Sequence, residues 1–195
     1  MDPVSVEKTK KISHPLAFTT REMVLAGMFA AVLAVISQLS IPTPAGVPVT
    51  IQVFGVALVG AVLGWKLGLC SVLVYILIGA VGLPVFANFG GGIRSLLWGT
   101  GGYIWAWPVM AVLCGIRPGM KNKIWDLAVR IFLSLIGLAV VEFIGGLQWA
   151  ALSGDMTAGA VFAYSMVAFV PKDIVITILG VIVSGPVKRI TDRVR

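Results

Sequence analysis

Charge is scarce in this chain. Of 195 residues, 12% are Asp, Glu, Lys or Arg, against roughly 25% in an ordinary soluble domain. That is too little to cover the surface of a water-soluble fold of this length. Histidine is almost missing: the single one, His14, sits in a polar leading segment. There are two cysteines, Cys70 and Cys114, both inside apolar stretches. They are too few for a metal cage or a disulfide scaffold, and they read as small core residues. No Ser stands at a recognisable spacing from a base, and no His/Cys/Asp cluster offers a metal site. The run Gly90-Gly91-Gly92 is followed by neither the Lys nor the Ser/Thr of a phosphate loop. These gaps leave no catalytic, metal, cofactor or nucleotide chemistry in view. If a solute is moved uphill, the energy comes from a partner subunit or an ion gradient.

What is present is hydrocarbon. Hydrophobic residues make up 58% of the chain, and the mean hydropathy is +1.01. They fall in blocks of about 16 to 25 residues, the length of a bilayer-crossing helix. The blocks are apolar throughout, without the alternation of a membrane barrel strand. The chain therefore reads as an all-α integral membrane protein of six transmembrane helices, spanning 21–190 after a basic tail, 1–20. No small-residue cleavage site follows the first block, so that helix is read as retained.

The helices are expected over 21–41, 51–63, 67–83, 101–116, 125–152 and 158–187. Thr20 and Glu22 serve as cap-region residues of the first, and Pro42-Thr43-Pro44 ends it. Residues 84–98 form a Gly-rich connection, read as a mobile lid or a plain flexible turn. Pro171 makes the start of the last block irregular. The formal charge of +7 belongs to loops and tails, with no groove-reading motif for nucleic acid. Lys8, Lys10, Lys11, Arg21, Lys66, Arg117, Lys121, Lys123, Arg130, Lys188, Arg189, Arg193 and Arg195 share one side. They are 13 of the 15 basic residues, so both termini are placed in the cytoplasm and the protein in the cell membrane. Arg94 and Asp155 then face outward.

Against that background the polar exceptions carry the chemistry. Lys172 and Asp173 follow Pro171 within an apolar block, and ionisable groups at membrane depth are costly unless paired or lining a wet cavity. The two neighbours are expected to point in different directions on a helix. Gln52 and Asn88 lie toward the same outer face, where three polar groups form a pocket or, alternatively, helix glue. Glu142 is a packing group, a partner of Arg130 or Arg94, or a cavity residue. Trp98, Tyr103, Trp105, Trp107 and Trp149 are interfacial in position, and some, with Tyr103 among the ligand candidates, are placed to stack on a flat solute. Ala26, Ala30 and Ala34 put small side chains on one stripe, open to close approach by another helix of this chain or of a partner.

Four stretches, TIQVFGVALVGAVLG, YILIGAVGLPVFANFGGG, GTGGYIWAWP and FVPKDIV, resemble the BioY family, the biotin-specific S components of energy-coupling factor (ECF) vitamin transporters. The resemblance covers roughly 21–190. It implies a six-helix S component with an outward-facing biotin pocket, working with a transmembrane coupling subunit and two cytoplasmic ATPases. It matches the family's ligand positions to Gln52, Asn88 and Asp173, and its coupling-subunit stripe to Ala26 and Ala30. The chain departs from the pattern at three places. Ile176 stands where the family has lysine, Trp98-Gly99-Thr100-Gly101-Gly102 lacks the usual proline, and Arg94 replaces a common glycine. Arg94, or else Lys172, is then expected to meet the biotin carboxylate. An S component for another vitamin is the near alternative, and a membrane enzyme acting on lipid or peptide the distant one.

Overall fold

The computed structural model describes residues 18–43, 47–154 and 156–194. Lys8, Lys10, Lys11, His14, Pro44, Asp155 and Arg195 fall outside the described residues. Among the described residues the order is α1 (Thr20–Ser37), β1 (Ser40–Ile41), β2 (Val49–Thr50), α2 (Gln52–Leu63), α3 (Trp65–Val81), a 3-10 turn (Ala87–Phe89), α4 (Ile93–Leu97), α5 (Gly101–Gly115), α6 (Lys123–Leu152), α7 (Ala158–Ala168) and α8 (Val170–Val194). The six apolar blocks are all helical, the last being divided into α7 and α8. Three helices, over Thr20–Ser37, Lys123–Leu152 and Val170–Arg193, are long and apolar enough to cross a membrane. α2, α3 and α5 are shorter apolar helices, consistent with six spans where the bilayer is locally thinned. α6 at 30 residues is about 45 Å long and outruns the hydrocarbon core.

Local chemistry sets the helix ends. Thr19, one residue earlier than expected, caps α1: its hydroxyl accepts from the Glu22 amide at 3.2 Å, while Glu22 accepts from the Thr19 amide at 3.0 Å. α1 stops at Ser37, before Pro42, because the chain turns into an antiparallel ribbon pairing Ser40 with Thr50 and Ile41 with Val49. Asn122 Oδ1 caps α6, accepting from the Ile124 amide at 2.9 Å. Arg117 donates to the last carbonyls of α2, at Ala61 and, at 2.8 Å, at Val62, satisfying acceptors the helix leaves over. Pro171 lies in the first turn of α8, where its missing N–H is harmless. It leaves the Val167 carbonyl without a helical donor, and the helix breaks at Phe169.

α2 is apolar on every side and is the centre of the bundle, enclosed by α1, α3, α5 and α8. Small residues let its neighbours close in. A Cβ on Gly60 would lie 2.4 Å from the Ala111 carbonyl oxygen of α5. Gly60→Val is therefore expected to lower the thermal midpoint in detergent sharply, since the obstacle is backbone and the overpacking cost is about 1–3 kcal/mol or more. Gly137 and Gly145 of α6 do the same against Met110 and Tyr103 of α5. The outer faces are apolar and exposed, including Met23, Val35, Val81, Phe143 and Val167, as a lipid-facing surface requires.

The alanine stripe of α1 faces into the chain. Ala26 and Ala30 are each 2% exposed, and the Ser71 hydroxyl of α3 donates to the Ala26 carbonyl at 2.8 Å. Ala34 is half-buried against the same core. Within this chain the small side chains serve the approach of α1 to α3. The buried face of α1 mixes these alanines with Leu25, Phe29 and Leu33, and Met23, Val24 and Met28 are left outside.

Candidate ligand-binding site

The helix ends sort by charge. Arg21, Lys66, Arg117, Lys121, Lys123 and Lys188 lie at one end of the bundle. At the other end meet the start of α2, the end of α3, the start of α5, the end of α6 and the start of α8. There a cavity of about 210 Å³ opens among these elements, the β ribbon and the connection after α3. It collects Gln52, Asn88, Tyr103, Lys172 and Asp173, which are far apart in sequence.

The connection over 82–98 forms a wall of the cavity and is tied to α1 and α3 by hydrogen bonds. Gly79 has no side chain, so the Phe86 ring seats where a Cβ would lie 2.1 Å from it. The Gly92 amide donates to the Gly79 carbonyl at 2.7 Å, and the Phe86 amide to Gly90 at 2.9 Å. Gln38 grips the turn from α1. Its Nε2 donates to the Phe86 carbonyl at 3.2 Å, and its Oε1 accepts from the Phe89 amide at 3.0 Å. The Ser40 hydroxyl donates to Asn88 Oδ1 at 2.8 Å. Asn88 holds φ at 55°, a left-handed conformation that asparagine tolerates. It is exposed, at the cavity mouth, with its amide N–H groups left to donate.

Tyr75 is the hub beneath. Its hydroxyl donates to the Val85 carbonyl at 3.0 Å, accepts from Gln52 Nε2 at 3.3 Å and bonds Ser37 Oγ at 2.7 Å. Gln52 is thus held from α3, and its buried amide faces the cavity from α2. Neither Gln38 nor Tyr75 is marked by the sequence: each reads as an ordinary polar residue in a membrane helix, and only spatial proximity gives it a task. Tyr103 reaches Ser165 Oγ at 3.4 Å, and its ring meets Phe169 edge-on, with centroids 6.5 Å apart.

Lys172 and Asp173 are paired with each other, contrary to the expectation from helical spacing. Both occupy the first turn of α8, where the long lysine stem can fold back. The Lys172 ammonium also donates to the Thr50 carbonyl of β2 at 2.6 Å. Two of its three donors are thereby used. Asp173 is 3% exposed and is steadied by the α8 N-terminus as well as by the ammonium. Ile176, one turn further on, packs against the apolar core, so Lys172 is the cation adjacent to Asp173. Glu142 of α6 also lines the cavity and interacts with Asp173. It pairs with neither Arg130, which donates to Ser184 Oγ at 3.0 Å, nor Arg94. Arg94 does not line the cavity. It is exposed on α4, its guanidinium 5.5 Å from the centre of the Trp98 ring, and Trp98 forms part of the rim.

A bundle of membrane helices with a small cavity at one end that gathers Gln52, Lys172 and Asp173 is a solute-capturing membrane protein. The chain belongs to the BioY family, whose model matches residues 8–193. It is similar to the probable biotin transporter BioY of Pyrococcus horikoshii, 39% identical over 164 residues that cover 84% of this chain and 94% of that one. It is 40% identical to the biotin transporter BioY of Thermotoga maritima over 126 residues, 64% of this chain and 72% of that protein. Among solved structures it resembles the S-component for biotin from an ECF-type ABC transporter. The TM-score is 0.76 at 26% identity, covering 89% of this chain and 95% of that one.

Proposed function

We propose that this chain is the biotin-binding S component of an ECF-type vitamin transporter: it captures the vitamin at the cavity and carries out no covalent chemistry on it. The observation that carries the reading is the pairing of half-buried Lys172 with buried Asp173 at the cavity of a chain built like a biotin S-component. A ureido ring has two N–H donors and one carbonyl acceptor. Asp173 suits one N–H, and the third donor of Lys172 suits the carbonyl. Gln52 and Tyr103 shape the floor and flank, and Asn88 donates from the mouth. The ring and the carboxylate lie at opposite ends of the ligand, so two residues bonded to each other do not serve both. The carboxylate is assigned to Arg94, which reaches the mouth by leaving the Trp98 face.

The family resemblance implies a transmembrane coupling subunit and two cytoplasmic ATPases as partners, and the lack of a nucleotide-binding loop in this chain agrees with energy supplied by others. The reading is tested by mass spectrometry of ligand released from the purified protein: biotin is expected, and a different vitamin or nothing after growth on biotin would reject it.

The orientation puts the cavity end outside and both termini in the cytoplasm, because the basic residues gather at the other end. In a Cys70→Ala, Cys114→Ala background, Gly154→Cys, at an exposed position of the same turn, is expected to react with an impermeant thiol reagent added to intact cells. Ser5→Cys is expected to react only after lysis; the opposite pattern inverts the topology.

A further inference from the structure

Two polar atoms near this cavity have no hydrogen-bond partner. One is the indole Nε1–H of Trp107 on α5; the other is Oε2 of Glu142 on α6. Both residues line the cavity, and they are 3% and 8% exposed. α5 and α6 run antiparallel, with Gly145 against Tyr103 and Gly137 against Met110, so Trp107 and Glu142 sit at the same level of the bundle. One atom can only donate, and the other is a carboxyl oxygen that can accept. Buried polar atoms left without partners are costly, and two of opposite sense at one level of one cavity call for a group carrying both an N–H and a C=O.

We propose that Glu142 and Trp107 form the second half of a ureido clamp: Glu142 accepts the N–H that Asp173 does not, and Trp107 donates to the second lone pair of the ureido oxygen. The clamp rests on the biotin reading above. Glu142 and Asp173 meet in the ligand-free protein; the ring's two N–H groups replace that contact, one on each carboxyl group, while Lys172 and Trp107 take the two carbonyl lone pairs. Both orphaned atoms are buried in the ligand-free protein, and Glu142 turns its free oxygen to the ligand by rotation about its terminal torsion, which is broad and soft. Such a clamp selects a five-membered cyclic urea over a vitamin lacking paired N–H groups, because the missing donor would leave a buried carboxylate unanswered.

Calorimetry on the full-length protein in detergent tests this, using biotin and its two isomers methylated at one or the other ureido nitrogen. Trp107→Phe keeps the ring and removes the donor, and is expected to weaken biotin about fivefold. Glu142→Leu is expected to weaken it about tenfold or more, with Glu142→Gln recovering much of the loss because its oxygen still accepts. One methyl isomer should bind poorly to the wild type and lose nothing further in Glu142→Leu; the other should lose as biotin does. Unchanged biotin affinity in both Trp107→Phe and Glu142→Leu, or equal losses for biotin and both isomers accompanied by a lowered thermal midpoint, overturns the clamp while leaving biotin capture standing. A wild-type protein that binds no biotin overturns the functional reading itself.

Discussion

Asp173→Ala is expected to weaken biotin binding tenfold or more. The substitution removes an acceptor for a ureido N–H, and an unanswered buried donor costs about 1–3 kcal/mol, more where charge is involved. It also strips Lys172 of its ion-pair partner. The half-buried ammonium keeps only the Thr50 carbonyl, and breaking one side of a buried pair is more damaging than never having built it. Asp173→Ala should therefore lower the thermal midpoint of the ligand-free protein as well. Asp173→Asn should do less on both counts, since its amide oxygen still accepts from the ring and from Lys172. Calorimetry with biotin and a thermal scan without it read the two effects separately. Full affinity in Asp173→Ala would leave that residue as a packing group and move the ligand elsewhere.

Arg94→Ala is expected to weaken biotin about tenfold and biotin amide hardly at all, because only the acid carries the charge that a guanidinium recognises, and charged hydrogen bonds contribute about 1.5–3 kcal/mol. Lys172→Met is expected to weaken acid and amide equally, since its assigned partner is the ureido oxygen common to both. The crossed pattern of two variants and two ligands separates the ends of the molecule. If Lys172→Met were the one to discriminate acid from amide, the ligand would lie the other way round. The Arg94 contact is also the more exposed to salt, because that guanidinium is on the surface.

The apolar blocks and the segregation of basic residues can be read along the chain, because they depend on residue type and on short-range order alone. A membrane helix must satisfy its backbone internally wherever it is placed, so its presence needs no knowledge of its neighbours. The polar residues Gln52, Asn88, Tyr103, Lys172 and Asp173 could be singled out for the same reason: each breaks an apolar pattern. What those residues do depends on directions that linear order does not contain. The face of α1 turned inward is set by where α3 and α2 come closest, so Ala26 and Ala30 lie inside. The connection after α3 looked mobile from its glycines. Those glycines instead permit close seats, for Phe86 on Gly79 and for Gly91 against the Leu83 carbonyl, and Gln38 pins the turn from another helix. Lys172 meets Asp173 because the helix begins just before them and leaves the stem free to fold back. Glu142 and Trp107 gain their meaning from each other and from the cavity, through the antiparallel packing of α5 on α6, a relation between residues 35 positions apart that exists only once the glycines of both helices have brought the backbones together.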